Sequence, residues 1–157
     1  MKFFLVRASL AEAGGGDVPE ANRFLSLAGR QLVRAVGNHL RLNDEPSFDR
    51  IVTSPHAIAV QTAELFADRV DYIGAVEVMA SLGAGFPPTL AAQALIARGE
   101  TIAIVGEEPQ LSALGAFLIG RPTFPPLQHA QVSFIQDRQP VWYLRADTLV
   151  RAPLLVA

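Results

Sequence analysis

The chain has 157 residues, half of them hydrophobic and only 18% charged, with a formal net charge of −2. That balance suits one globular domain over 1–157, excludes a disordered chain, and offers no global basic field for nucleic acid or membrane phosphates. The absence of cysteine excludes disulfides, thiolate metal sites and cysteine nucleophiles.

The N-terminus leads straight into an apolar segment without the cationic region and cleavage site of a secretory leader. No apolar run approaches the roughly 18 residues of a membrane span. The expectation is a soluble, cytoplasmic protein with no membrane partner.

Residues 2–7 form a continuous apolar run, the pattern of a strand buried on both faces. It ends on Arg7-Ala8-Ser9. The stretch EAGGGDVPEAN (12–22) reads as an irregular loop. Ser26 is placed to cap a helix over 27–42, where Leu32, Val33, Val36 and Leu40 recur at helical spacing. FDRIVTS (48–54) is the next strand, and Pro55 marks the start of a helix that turns Ile58, Leu65 and Phe66 inward.

VDYIGAVEVM (70–79) reads as extended, and SLGAGFPP (81–88) as a loop. Thr89 is the expected cap of a helix reaching Arg98, with Gly99 ending it. TIAIV (101–105) is a second doubly buried strand. Gly106 is the expected turn, and Pro109 falls in the first turn of a helix to Leu118, stopped by Gly120, Arg121 and Pro122. AQVSFIQ (130–136) and PVWYLRA (140–146) flank DRQ as an antiparallel pair joined by a tight turn. The apolar tail RAPLLVA docks on the body or on a partner, a homodimer being one use of it. The alternation predicts an α/β fold: a three-layer α/β/α sandwich with a mostly parallel central sheet and an antiparallel strand at one edge.

Ligands of open α/β sheets bind beyond the carboxyl ends of the strands. The segments leaving those ends are Arg7-Ala8-Ser9, Thr53-Ser54-Pro55 and Gly106-Glu107-Glu108. Arg7 is a fork-shaped donor for phosphate or carboxylate. Glu107 and Glu108 either act at this rim or complement the dipole of the helix they open. Arg7 either meets a ligand or pairs with Glu107 as a structural ion pair.

The order of these segments resembles the histidine phosphatase (phosphoglycerate-mutase-like) superfamily, in particular its small bacterial phosphohistidine phosphatases. The resemblance covers nearly the whole chain. It rests on residues 3–9, LSLAGRQLVRAV (25–36), IVTSPHAIAVQTAELF (51–66) and IAIVGEEPQLSAL (102–114), the last two being the specific segments. It implies a reaction in which a histidine on the first loop accepts a phosphoryl group, beside a second histidine and two phosphate-binding arginines. The first arginine is present as Arg7. Ala8 holds the nucleophile's place, Ile58 that of the second arginine, and Glu107 that of the second histidine.

Alanine forms no phosphoenzyme, and loss of a nucleophile from a working constellation costs about a million-fold. The expectation is therefore a pseudo-phosphatase with no catalytic residues, no cofactor and no metal, kept for binding a small ligand or a protein partner. The pocket candidates are Arg7, Ala8, Ser9, Ile58, Glu107 and His129. The alternative is an active phosphatase with relocated groups, such as Ser9 activated by His129 or His56. His39, late in a helix, reads as solvated or capping. A third option closes the rim with an Arg7–Glu107 pair and leaves function to another surface.

Overall fold

A computed structural model describes residues 1–13, 18–19 and 22–157. The triple glycine at 14–16, and with it much of the expected 12–22 loop, lies outside the described residues. The apolar run forms strand β1 (Lys2–Arg7) at the centre of the sheet, parallel to β4 (Thr101–Gly106) on one side and antiparallel to β5 (Val132–Gln136) on the other. Successive side chains of β1 therefore enter opposite cores. Phe4 and Val6 meet Val33, Val36 and Leu40 of helix α1 (Leu27–Asn43) and Ala59, Ala63 and Phe66 of α2 (Ala57–Arg69). Phe3 and Leu5 meet Ala91, Ala92 and Leu95 of α3 (Pro88–Ile96) and Leu111, Leu114 and Leu118 of α4 (Gln110–Ile119). This is the expected three-layer sandwich.

The remaining strands are β2 (Arg50–Thr53), β3 (Glu77–Val78), β6 (Gln139–Leu144) and β7 (Arg151–Pro153), and the sheet order is β3-β2-β4-β1-β5-β6-β7. From β3 to β1 every pairing is parallel; from β1 to β7 every pairing is antiparallel. The antiparallel part is thus a three-strand extension rather than one edge strand. Its hairpin turns on Asp137 and Arg138, both at positive φ (50° and 66°), which matches the right-handed twist of the flanking strands. The apolar tail supplies the third strand. Arg151 holds it down by stacking on the Trp142 ring, 4.1 Å from its centroid, and by pairing with Asp44, while Leu154 enters the core.

Several expected boundaries move, mostly at prolines. Helix α2 begins at Ala57 with His56 as its cap residue, because the chain first runs extended through Ser54-Pro55. Helix α3 begins on Pro88 after Pro87, not after Thr89, since proline's fixed φ suits the first helical position. Pro109 precedes α4 rather than lying in its first turn, and Gly106 ends β4 instead of turning. Over 70–79 only Glu77–Val78 is strand. Asp71 turns the chain at φ 57°, and Ile73 is fully exposed for want of a neighbouring strand. The 3-10 turn Ala80–Leu82 occupies the start of the expected 81–88 loop. Among the described residues no helix is long and apolar enough to cross a membrane.

Candidate functional site

Register brings the tips of β1, β2 and β4 together. Arg7 is paired with Gly106, and the Ala8 amide donates to the Gly106 carbonyl at 2.8 Å, so Glu107 leaves β4 beside Ala8. On the other side of β1, the Arg7 amide donates to Gln131 and the Ala130 amide donates to Arg7. That binds the 127–131 loop to the same tip. The Arg7 guanidinium reaches this loop through Nη1, which donates to the Leu127 carbonyl at 2.7 Å. His129 lies with Nδ1 3.2 Å from the Ala8 carbonyl oxygen.

The tip of β2 contributes Ser54, whose hydroxyl donates to both Glu107 carboxylate oxygens at 2.9 and 3.2 Å. His56 Nδ1 stands 3.4 Å from Glu107 Oε1. These groups enclose an open cavity of about 350 Å³, walled by Arg7, Ala8, His56 and Ile58 together with Glu107, Glu108, Gln110 and His129. Of the residues singled out in the sequence, Arg7, Ala8, Ile58, Glu107 and His129 meet here.

Ser9 does not. It is fully buried, its amide donates to Thr62 Oγ1 and its hydroxyl donates to the Gly29 carbonyl at 2.8 Å. A residue one step beyond Ala8 turns to the opposite side, and the Ser9 hydroxyl is committed to fastening α1 to the β1 tip. This placement removes it as a pocket residue and as a nucleophile. His39 lies away from the site, its carbonyl accepting from Asn43 near the end of α1.

The same local bonds explain the surrounding sequence words. Gly29 lets α1 approach the loop so closely that a Cβ there would stand 2.2 Å from the Leu10 carbonyl oxygen. Gln61 accepts from the Leu25 amide, Thr62 holds the Ser9 amide, and Ala63 is buried against the sheet. Glu108 accepts from the Ser112 amide in the first turn of α4, the dipole-complementing role, and also lines the cavity. His56 and Glu108, rim alternatives in the sequence reading, and Gln110, absent from it, complete the wall. For His56 and Gln110 the signal is their position three and four residues beyond a strand end.

Burial pushes the Glu107 carboxyl above its ordinary range, against the Ser54 hydrogen bond and the nearby His56 and Arg7 charges. Burial also raises Glu108, against Ser112 and Arg7, and one Glu108 oxygen is enclosed without a hydrogen-bond partner. Among the described residues no carboxylate comes within 4.0 Å of the Arg7 guanidinium, so no Arg7–Glu107 ion pair closes the rim. Also among the described residues, no cluster of three or more His, Asp or Glu is placed to hold a metal ion.

No protein-family model matches the chain, and no curated protein matches it. Its fold does have solved counterparts. The protein histidine phosphatase SixA, solved with tungstate, superposes with a TM-score of 0.82 at 18% identity, covering 96% of this chain and all (100%) of that one. The alpha-ribazole phosphatase from Shigella flexneri gives 0.63 at 18% identity, over 89% of this chain and 93% of its own. The mycobacterial glucosyl-3-phosphoglycerate phosphatase gives 0.63 at 13%, over 97% and 96%. At these identities the likeness concerns the backbone. The chain has the fold of the histidine phosphatases.

Proposed function

We propose that this protein is a pseudo-phosphatase, a non-catalytic chain of histidine-phosphatase fold that uses its strand-tip cavity to bind a small ligand or a protein partner. One observation carries the reading: the residue at the end of β1 that faces the cavity is Ala8, whose methyl group can neither attack phosphorus nor hold a proton. The supporting chemistry has the same sense. Ile58 is a buried aliphatic wall, and Glu107 presents a carboxylate where a phosphate site needs a donor. A charged carboxylate about 4 Å from a phosphate oxygen opposes it by about 4 kcal/mol at an effective dielectric near 20. Among the described residues, Arg7 is the one guanidinium in the wall against two carboxyl groups.

A second reading has one observation in its favour. With Nδ1–H donating to the Ala8 carbonyl, His129 would carry its free lone pair on Nε2, the tautomer of a nucleophile. In that case Nε2 would attack phosphorus, the ester P–O bond would break, and a protonated Glu107 would pass its proton to the leaving oxygen. Water would then cleave the P–N bond, returning phosphate and restoring the imidazole and carboxyl group.

Incubation with an aryl phosphate separates the two. The binding reading predicts no hydrolysis above the buffer rate and no phosphorus-31 signal of a phosphoimidazole. Turnover that vanishes in His129→Ala establishes the second reading instead.

A further inference from the structure

The cavity wall has charges of both signs, separated from one another. Arg7 stands at the tip of β1, anchored by one of its five N–H donors to a carbonyl in the 127–131 loop. Glu107 stands on the neighbouring tip of β4, held by Ser54, and the two side chains form no ion pair. An ionised carboxylate offers about four acceptor sites, and the Ser54 hydroxyl and the His56 nitrogen at 3.4 Å leave others open on Glu107. Glu108 adds a second acid to the same wall. Among the described residues the wall therefore carries one guanidinium and two acids beside its two imidazoles. That combination opposes an isolated oxyanion at the acids, while an isolated cation would leave the Arg7 fork unmatched.

We propose that the cavity binds a small zwitterion, a primary ammonium and a carboxylate within one molecule. The ammonium would sit on Glu107 and the carboxylate on the Arg7 fork. This rests on the binding reading above and names its ligand class. Three features converge on it. The volume, about 350 Å³, is that of a pocket for a compact small molecule. A tetrahedral ammonium can donate to a carboxylate while keeping donors for neighbouring acceptors such as Gln110 and the imidazoles. The planar guanidinium meets a carboxylate with matched geometry, whereas a phosphate dianion at Arg7 would also face the acids of the β4 tip. Ile58 and Ala8 provide an apolar wall for the carbon chain between the two ends.

The test is titration with glycine, γ-aminobutyrate and 5-aminovalerate, against butyrate, butylammonium and inorganic phosphate, followed by calorimetry and melting temperature. The expected result is saturable binding of at least one amino acid probe. Its affinity should exceed that of butyrate and of butylammonium by about ten- to a hundredfold, the worth of one charge-assisted hydrogen bond. Glu107→Gln, nearly isosteric, should reduce the probe to the affinity of butyrate, and Arg7→Met to that of butylammonium. Phosphate binding more tightly than every amino acid probe would overturn the proposal, as would an unchanged probe affinity in Glu107→Gln. If no probe binds and aryl phosphate is not hydrolysed, the ligand class fails and the non-catalytic reading stands. Hydrolysis lost in His129→Ala overturns both.

Discussion

Ser54 and Glu107 meet across the tips of two adjacent parallel strands, one hydroxyl donating to both oxygens of the carboxylate at 2.9 and 3.2 Å. The contact fixes a half-buried acid in the cavity wall. Nothing else in the hydrogen-bond pattern of the described residues serves that carboxylate directly, apart from the His56 nitrogen at 3.4 Å. Removing the hydroxyl therefore leaves an acid without its main donor. Ser54→Ala should destabilise the fold by about 1–3 kcal/mol near neutral pH, by urea unfolding. The loss should shrink at acid pH, where the carboxyl is protonated. A loss unchanged with pH would mean that Ser54 acts through packing alone.

Burial raises the carboxyls of both cavity acids above the ordinary value of 4.5. Between the unfolded and folded pKa values the native state holds more protons than the unfolded one, so stability falls as pH rises. The stabilising contribution is fully present below about 4.5 and is lost as pH rises through the raised folded values. The groups facing Glu107 are Ser54, His56 and Arg7; those facing Glu108 are Ser112, Arg7 and the Leu127 backbone. Glu107→Gln combined with Glu108→Gln should flatten the fall in melting temperature with rising pH from that point upward. An equally steep fall in the double variant would contradict the burial assignment.

Ser9 is tested separately. Its hydroxyl is a buried donor to the Gly29 carbonyl, so Ser9→Ala should cost about 1 kcal/mol of stability. It should leave the affinity of any cavity ligand unchanged. A change in ligand affinity without a change in stability would return Ser9 to the site.

Gly29 is the steric counterpart. With a Cβ 2.2 Å from the Leu10 carbonyl oxygen, Gly29→Ala must push α1 away from the β1 tip and should cost about 1–3 kcal/mol. Denaturant midpoints measure this directly. A neutral substitution would mean that the helix rides over the loop without that contact.

How much of this was legible in the sequence differs by kind of residue. The runs at 2–7 and 101–105 were readable as central strands because both faces are buried and both patterns are continuously apolar. Once parallel strands were assigned, the meeting of Arg7, Ala8 and Glu107 at one rim followed from topology. Helix starts near Pro55, Pro87-Pro88 and Pro109 lie one or two residues from where the sequence pattern puts them, because proline fixes φ at several positions around a helix start. The 70–79 segment has strand-forming residues but no strand beside most of it, so tertiary context overrode local preference. The anchor of Arg7, a main-chain carbonyl at Leu127, carries no side-chain signature to read. The orientation of Ser9 depended on the exact point where β1 stops alternating, and one residue decides which side of the tip a hydroxyl takes.

The central claim is that the cavity binds without transferring phosphate, and the most direct test is a rate. The purified chain should hydrolyse para-nitrophenyl phosphate no faster than buffer, from acid to alkaline pH, with Arg7→Ala and His129→Ala indistinguishable from the parent. Hydrolysis above background that is abolished by either substitution, together with a trapped phosphoimidazole, would contradict it.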